Sequence, residues 1–162
     1  MREFSINADN VTVAGTTTLA FINPPAAPSI NIQILRAWSS FSANATSAQQ
    51  RIQIVSQVTA FPTLTSYTPR KKKPADPNAS VITGNTTGAA GTCGINASSE
   101  GAGTKTVEYP DVFNVLNGWL FVPTPPEYMI WPAGSSSGLG LYFPTAPNPT
   151  NGWTGGMVYA EV

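Results

Sequence analysis

The sequence predicts an all-β fold, a single-domain antiparallel β-sandwich of the jelly-roll type with long loops. Apolar and polar residues alternate with period 2 in several segments, as they do in strands that have one buried face. Fifteen prolines are spread along the chain, many of them at the ends of these segments. About eight to ten short strands separated by turn residues are typical of a two-sheet sandwich.

Length and composition predict one domain over residues 1–162, with an extended surface loop region at about 68–104. Hydrophobic residues make up 41% of the chain, which is enough for a full core. Charged residues make up only 10%, against about 25% in ordinary soluble domains, and the net charge is zero. A chain without a basic excess is a poor nucleic-acid binder, so nucleic acid is not an expected partner.

Two strands in the first half are the best defined. Residues 29–34 and 51–54 alternate polar residues with isoleucines, so the isoleucines of each segment share one sheet face. Weaker strand candidates cover residues 10–14, 17–22 and 57–65. We expect a long loop at 39–50, where Ser, Ala and Asn dominate.

The middle of the chain differs in composition from its last third. Residues 78–104 consist mostly of Gly, Ala, Thr, Ser and Asn, which predicts a surface segment with at most a short strand at 80–82. Beyond it, alternating or aromatic-rich runs predict strands at 105–109, 119–122, 127–131, 138–143 and 156–162. Residues 111–118 are expected to form a corner.

Residues 69–77 form the most distinctive segment, which we call the basic strap. It contains four of the eight basic residues and three prolines, and the basic residues are Arg70, Lys71, Lys72 and Lys73. Proline fixes φ and lacks an N–H, so the strap is expected to run extended over the surface. Because a rigid segment loses little entropy on docking, we predict that the four cations contact a partner. An acidic protein surface is the first candidate and a phosphate backbone the second, whereas the simpler interpretation is four solvated loop charges.

The sequence carries little that could perform catalysis. It has no histidine, the commonest general base, and Cys93 is the only cysteine. Glu108 and Asp111 are the only close pair of carboxylates, and we expect them to cap a turn. With Glu127 they are also the only candidates for a glycan hydrolase. We therefore predict a protein that is not an enzyme and has no cofactor.

Metal and membrane binding are also not expected. The nearest candidates for a calcium site, residues 7–10 and 76–78, are more simply turns, because Asn and Asp bond their own backbone. We see neither a signal peptide nor an apolar run long enough to span a membrane. The expectation is a protein made in a cytoplasm, with no metal and no membrane partner.

Four aromatic residues in the last third allow a second kind of function. Their rings either stack on sugars or fill the core, and they are Trp119, Tyr128, Trp131 and Trp153. We favour the core for Trp119 and Tyr128. Trp153 follows a polar segment with proline and glycine, so exposure on a loop or at an oligomer contact is an equal alternative. Trp131 and Trp153 are the candidate glycan contacts, and Trp153 is also a candidate partner contact.

Six short motifs, taken in order, resemble a family of small proteins from tailed-phage structural gene clusters. They are Thr68-Pro69-Arg70, Asp76-Pro77, Asp111-Val112-Phe113-Asn114-Val115, Pro125-Pro126-Glu127, Ala146-Pro147 and Gly156-Met157-Val158-Tyr159-Ala160-Glu161-Val162. The similarity runs from about Arg2 to the end of the chain, but only these motifs are specific. The Asn/Thr-rich middle and the reduced charge depart from the family pattern.

The resemblance implies a head decoration (cement) protein of jelly-roll type that sits as a trimer on the capsid, and it brings no catalytic residues. We therefore expect a non-enzymatic bacteriophage structural protein on the outer surface of the virion, made in the host cytoplasm. Its expected partners are the major capsid protein and copies of itself, with the strap against acidic capsid surface and avidity supplied by the symmetric shell. The alternative is a tail or fibre-tip module that binds host glycans or another receptor through Trp131 or Trp153.

Overall fold

The computed structural model describes residues 1–15, 17–26, 30–42 and 46–162, which form a two-sheet β-sandwich without helices. The predicted all-β sandwich is confirmed. The described ranges contain β1 (Arg2–Val11), β2 (Thr17–Asn23), β3 (Ile32–Phe41), β4 (Gln49–Val58), β5 (Thr63–Ser66), β6 (Arg70–Lys71), β7 (Thr83–Gly84), β8 (Thr92–Ser99), β9 (Thr104–Asn114), β10 (Trp119–Phe121), β11 (Met129–Trp131), β12 (Ser137–Phe143) and β13 (Trp153–Glu161). In these ranges no helix is long and apolar enough to cross a membrane.

Strands that follow one another along the chain are divided between the two sheets. The first sheet has the order β10-β3-β13-β1-β6, and β11 also pairs with β3. The second has the order β5-β8-β2-β12-β4-β9, and the short β7 lies parallel to β8. Leaving out β11 and the inserted strands β5 to β8, the sheets read β1-β13-β3-β10 and β2-β12-β4-β9. Along these eight strands, all connections but β4 to β9 pass from one sheet to the other.

The core lies between the sheets and follows the predicted alternation. Ile32 and Ile34 of β3, and Ile52 and Ile54 of β4, have no exposed surface. They belong to one continuous cluster of buried residues that both sheets line. The isoleucine pattern therefore identified both strands, but β3 begins at Ile32, so residues 30 and 31 of the first predicted segment precede the strand and residue 29 lies outside the described ranges.

Several predicted boundaries in the first half differ from the structure. β1 occupies Arg2–Val11, whereas the sequence predicts a strand only at 10–14. The predicted loop at 39–50 is shorter, because β3 continues to Phe41 and β4 begins at Gln49, and residues 43–45 of it lie outside the described ranges. The candidate at 57–65 contains a turn, in which Thr59 and Ala60 have positive φ, between β4 and β5.

The largest departure concerns residues 68–104, predicted as a surface loop. This region contains β6, β7 and the eight-residue β8, which lies between β2 and β5. The position of β8 requires small residues: a Cβ added to Gly94 would lie 2.6 Å from the Cβ of Leu64. A strand made of such residues has no apolar alternation, so the pattern could not reveal it. The short strand expected at 80–82 is instead β7 at Thr83–Gly84.

The predicted corner at 111–118 is also partly strand. β9 continues through Pro110 to Asn114 and pairs with β4 along its length, with Pro110 opposite Gln53. Pro110 is tolerated because β9 is the last strand of its sheet, where a missing N–H removes no hydrogen bond between strands. The remaining C-terminal strands lie close to their predicted positions.

Candidate functional site: the basic strap

The basic strap forms one edge of the first sheet. Its residues Arg70 and Lys71 are β6, which pairs with Ser5 and Phe4 of β1. The next amide, that of Lys72, donates to the carbonyl of Glu3 at 2.9 Å. β6 is thus an edge strand two residues long, in agreement with the prediction of an extended surface segment.

A turn follows the cationic run. The amide of Asp76 donates to the carbonyl of Lys73 at 3.0 Å, and Asp76 Oδ1 accepts the amide of Asn78 at 3.0 Å. The second bond closes a turn at residues 76–78. The sequence predicted a turn there as the simpler alternative to a calcium site. Backbone hydrogen bonds therefore order the strap at both ends of the cationic run before any partner arrives.

The four cations of the strap are all exposed. Lys73 Nζ lies 3.4 Å from Glu3 Oε1, and Lys71 Nζ donates to the carbonyl of Asp76 at 2.6 Å. Arg70 and Lys72 form no ion pair within the described part of the chain. Exposed ion pairs are worth only about 0–1 kcal/mol, so the contact of Lys73 with Glu3 is easily exchanged for a stronger one.

A buried carboxylate fastens the segment that follows the strap. Glu161 Oε1, in β13, accepts the Ser80 hydroxyl at 2.6 Å and the Val81 amide at 2.8 Å. Its other oxygen lies 2.8 Å from the Arg2 guanidinium, and the Glu161 side chain has no exposed surface. The Ser80 hydroxyl also contacts the Tyr159 hydroxyl at 2.8 Å, and burial raises the pKa of Tyr159. The strap is therefore tied to the first and last strands of the fold.

Sequence reasoning missed this buried network, although part of its signal was visible. The alternation in β13 places Met157, Tyr159 and Glu161 on one face, and an acid on the face of a buried methionine needs a partner. Nothing in the sequence identified Ser80 and Arg2 as those partners, because they lie far away along the chain.

A cleft of about 470 Å³ lies beside the strap. Phe4, Pro69, Lys71 and Ile82 are among the residues that line it. The cleft therefore combines apolar walls with one exposed ammonium group. It is large enough to receive a side chain of a bound protein.

Trp153 is not the surface residue that the sequence allowed. It has no exposed surface, and its ring lies 4.9 Å from that of Phe143 and 5.1 Å from that of Phe41. Its indole N–H donates to the carbonyl of Pro149 at 2.9 Å. The polar segment before it is a loop, but β13 begins at Trp153 and directs the ring into the core. Trp153 is therefore excluded as a partner contact and as a glycan contact.

The other aromatic candidates lie in different environments. Trp119 is buried, as predicted, and its indole N–H donates to Asp111 Oδ2 at 2.8 Å. Tyr128 is 40% exposed, so its predicted place in the core is wrong. Trp131 is half-buried and donates to the Ser137 hydroxyl at 2.8 Å. Of the two glycan candidates, Trp131 alone keeps part of its ring at the surface.

The three carboxylates considered for hydrolysis have local partners. Asp111 also accepts the amide of Val112, and Glu108 accepts the Ser56 hydroxyl. Glu127 Oε2 accepts the Thr124 hydroxyl at 3.0 Å. Glu108 and Asp111 both lie within β9, so the turn that they were expected to cap is absent, although Asp111 does accept a local backbone amide.

The residue types that could bind a metal lie apart in the described ranges, and the single cysteine is buried. In the ranges that the structure describes, no group of three or more His, Cys, Asp or Glu residues could hold a metal ion. Cys93 is buried in β8, and burial raises its thiol pKa to about 12, so it stays protonated and unreactive near neutral pH.

Comparison with known proteins adds no assignment: no protein-family model matches this chain, and no curated protein or solved structure matches it significantly.

Proposed function

We propose that this chain is a non-enzymatic bacteriophage structural protein, a head decoration (cement) protein of jelly-roll type that binds the outer surface of the capsid as a homotrimer. The observation that carries the proposal is the strap, a preordered edge that presents four of the eight basic residues of a neutral chain. The proposed partner surface is an acidic face of the major capsid protein.

The strand order supports the jelly-roll part of the proposal. A jelly roll has eight strands in two four-stranded sheets, with connections that pass between the sheets. The orders β1-β13-β3-β10 and β2-β12-β4-β9 have this form, and β5 to β8 are an insertion between the neighbours β4 and β9. The insertion carries the strap, so the scaffold is separate from the proposed contact.

The charge distribution supports an assembly role for the strap. Each exposed cation contributes roughly 0.5 kcal/mol to a protein contact, so four give about 2 kcal/mol per subunit. Such a contact is weak alone. In a shell, however, a trimer engages several sites at once, and the effective concentration multiplies modest affinities into stable attachment.

The test is binding of the purified protein to capsids that lack it, measured by co-sedimentation. We expect saturable binding, and about a 30-fold weaker affinity per subunit when Arg70, Lys71, Lys72 and Lys73 are all changed to Ser. The matched control is Lys71→Arg/Lys72→Arg/Lys73→Arg, which keeps the charge and should keep the binding. Raised salt should reproduce the Ser variant.

Each part of the proposal fails on a separate result. Absence of binding to the shell removes the capsid assignment. Full binding by the Ser variant removes the strap as the contact. A solution mass other than that of three chains, measured for the protein that binds, removes the trimer.

A further inference from the structure

The outer face of the first sheet carries a continuous row of four residues that crosses four strands. Arg70 of β6 pairs with Ser5 of β1, which pairs with Val158 of β13. Val158 in turn pairs with Arg36 of β3. Residues directly opposite each other in a sheet share one face, and both chain neighbours of Ser5 belong to the core. The row, which we call the arginine row, therefore lies on the face turned away from the core.

The centre of the arginine row is low and its ends are exposed. Ser5 and Val158 are only 4% and 5% exposed, whereas Arg36 and Arg70 are both exposed. Along β13 the residues on the same face as Val158 are also small and buried, namely Gly156 and Ala160. Neighbouring strands lie about 4.8 Å apart, so the Cα atoms of the two arginines are separated by roughly 14 Å. Two exposed arginines thus flank a shallow trough whose floor is β13.

Neither arginine of the row has an acidic partner. Within the described ranges, Arg36 and Arg70 form no ion pair. Glu3 lies on the next row, opposite Ala160, and its carboxylate is already 3.4 Å from Lys73 Nζ. The guanidinium carbon of Arg36 lies 5.3 Å from the centroid of the Trp38 ring. A guanidinium that stacks on a ring still presents the N–H groups of its edge to a carboxylate.

Apolar side chains border the trough on the side of Arg36. Leu120 of β10 pairs with Trp38, and Ile130 of β11 pairs with Gln33, so both share the outer face with the arginine row. Leu120 is 63% exposed and Ile130 is 50% exposed. Protein interfaces are enriched in aromatic residues and arginine. The trough therefore offers a partner apolar contact beside a charged group.

The outer face of the second sheet has a different charge pattern. Arg51 of β4 lies there opposite Val112, and it forms no ion pair within the described residues. Lys105 of β9 lies 3.2 Å from a carboxylate oxygen of Glu100 and is thus already neutralised. The second sheet therefore has a single unpaired arginine, without a second one across a trough, and Arg51 serves as a matched control.

We propose that the trough between Arg36 and Arg70 is the docking surface for an extended acidic segment of a partner protein, with Arg36 as a contact residue outside the strap. In an extended chain, residues four apart share one face and lie about 13–14 Å apart, which matches the separation of the two arginines. Each guanidinium can bind one carboxylate through two parallel hydrogen bonds. The inference deepens the proposed function and rests on it for the identity of the partner, the major capsid protein. It needs only one copy of the chain, so it is compatible with a homotrimer.

The first test is charge reversal, measured by co-sedimentation with capsids that lack the protein. Arg36→Glu should weaken binding at least about 10-fold, because a like charge then faces the acidic segment. Arg51→Glu changes the net charge equally on the other sheet and should change binding less than about 3-fold. Arg36→Lys keeps the charge without the fork of N–H groups and should lie between wild type and Arg36→Glu. Equal losses for Arg36→Glu and Arg51→Glu overturn the proposed surface.

The second test does not need the capsid. The isotope-labelled full chain is titrated with a short peptide that has glutamates four residues apart, and NMR shifts are followed. We expect the largest shifts at the Nε–H signals of Arg36 and Arg70 and at the amides of Ser5 and Val158, with Arg51 unchanged. Shifts spread over both sheets overturn the surface. Tighter binding of inorganic polyphosphate at the same signals overturns the assignment to an acidic protein.

The two proposals fail on different results. Peptide shifts confined to the arginine row, without capsid binding, keep the docking surface and remove the capsid assignment. Capsid binding that is lost when the strap is changed to Ser, but is untouched by Arg36→Glu, keeps the proposed function and overturns the inference.

Discussion

Removing the buried carboxylate of Glu161 is the sharpest test of how the strap is held. Glu161 accepts hydrogen bonds from Ser80 and Val81 and pairs with Arg2, and its side chain is fully buried. A hydrogen bond to a charged group contributes about 1.5–3 kcal/mol, and breaking a buried pair costs about 3–5 kcal/mol. The Arg2 side chain keeps 25% of its surface exposed and recovers some hydration. We therefore expect Glu161→Ala to lower the free energy of unfolding by about 3–4 kcal/mol.

The conservative variant separates charge from shape. Glu161→Gln keeps a carbonyl oxygen for Ser80 and Val81 but directs its amide toward Arg2, so a loss of about 1.5–2.5 kcal/mol is expected. Urea denaturation of both variants, and of a double-mutant cycle with Arg2→Met, measures these values. The cycle should give a coupling of about 1–2 kcal/mol between Arg2 and Glu161.

Hydrogen exchange shows which part of the molecule is destabilised when Glu161 is replaced. The Val81 amide donates to Glu161 and the Ile82 amide to the Ser80 hydroxyl, so both should lose protection in Glu161→Gln before the central strands do. A loss of stability below about 1 kcal/mol for Glu161→Ala, or unchanged exchange at both amides, would refute the reasoning.

Two further changes test Gly94 and the thiol of β8. Gly94→Ala should lower the free energy of unfolding by about 1–3 kcal/mol, because the added Cβ would lie 2.6 Å from the Cβ of Leu64. The control is Gly15→Ala, where a Cβ meets open space, and it should leave the free energy of unfolding almost unchanged in the same urea titration. Burial raises the pKa of Cys93 from about 9 to about 12, so only the unfolded chain loses this proton between those values. The contribution of Cys93 to stability should therefore be constant below about pH 9 and fall by about 1.4 kcal/mol per pH unit from there to about pH 12, and Tyr159, whose pKa burial also raises, steepens the fall at the alkaline end. Denaturation of Cys93→Ala over the same range should show a shallower fall, and an equal slope would contradict the assignment.

The sequence predicted those parts of the fold in which alternation and burial coincide. Ile32, Ile34, Ile52 and Ile54 all face the core, because each strand has one apolar face that must be covered. The strap was predicted as an extended surface segment for a local reason, since proline restricts its backbone whatever the fold around it.

The missed features depend on contacts between distant residues. Position 94 in β8 is a glycine because Leu64 packs closely over it, and the sequence gives no sign of that neighbour. Trp153 follows a loop-like segment, and only the direction of β13 shows that its ring enters the core.

The two edges of the first sheet are built in opposite ways. At β6 the edge is two residues long and cationic, which blocks pairing with another strand but leaves side chains for an acidic surface. At β10 and β11 the edge contains no charged residue. Like charges oppose contact between two straps, so the strap of each copy stays available to an acidic surface. The proposed attachment to a repeating shell needs this arrangement.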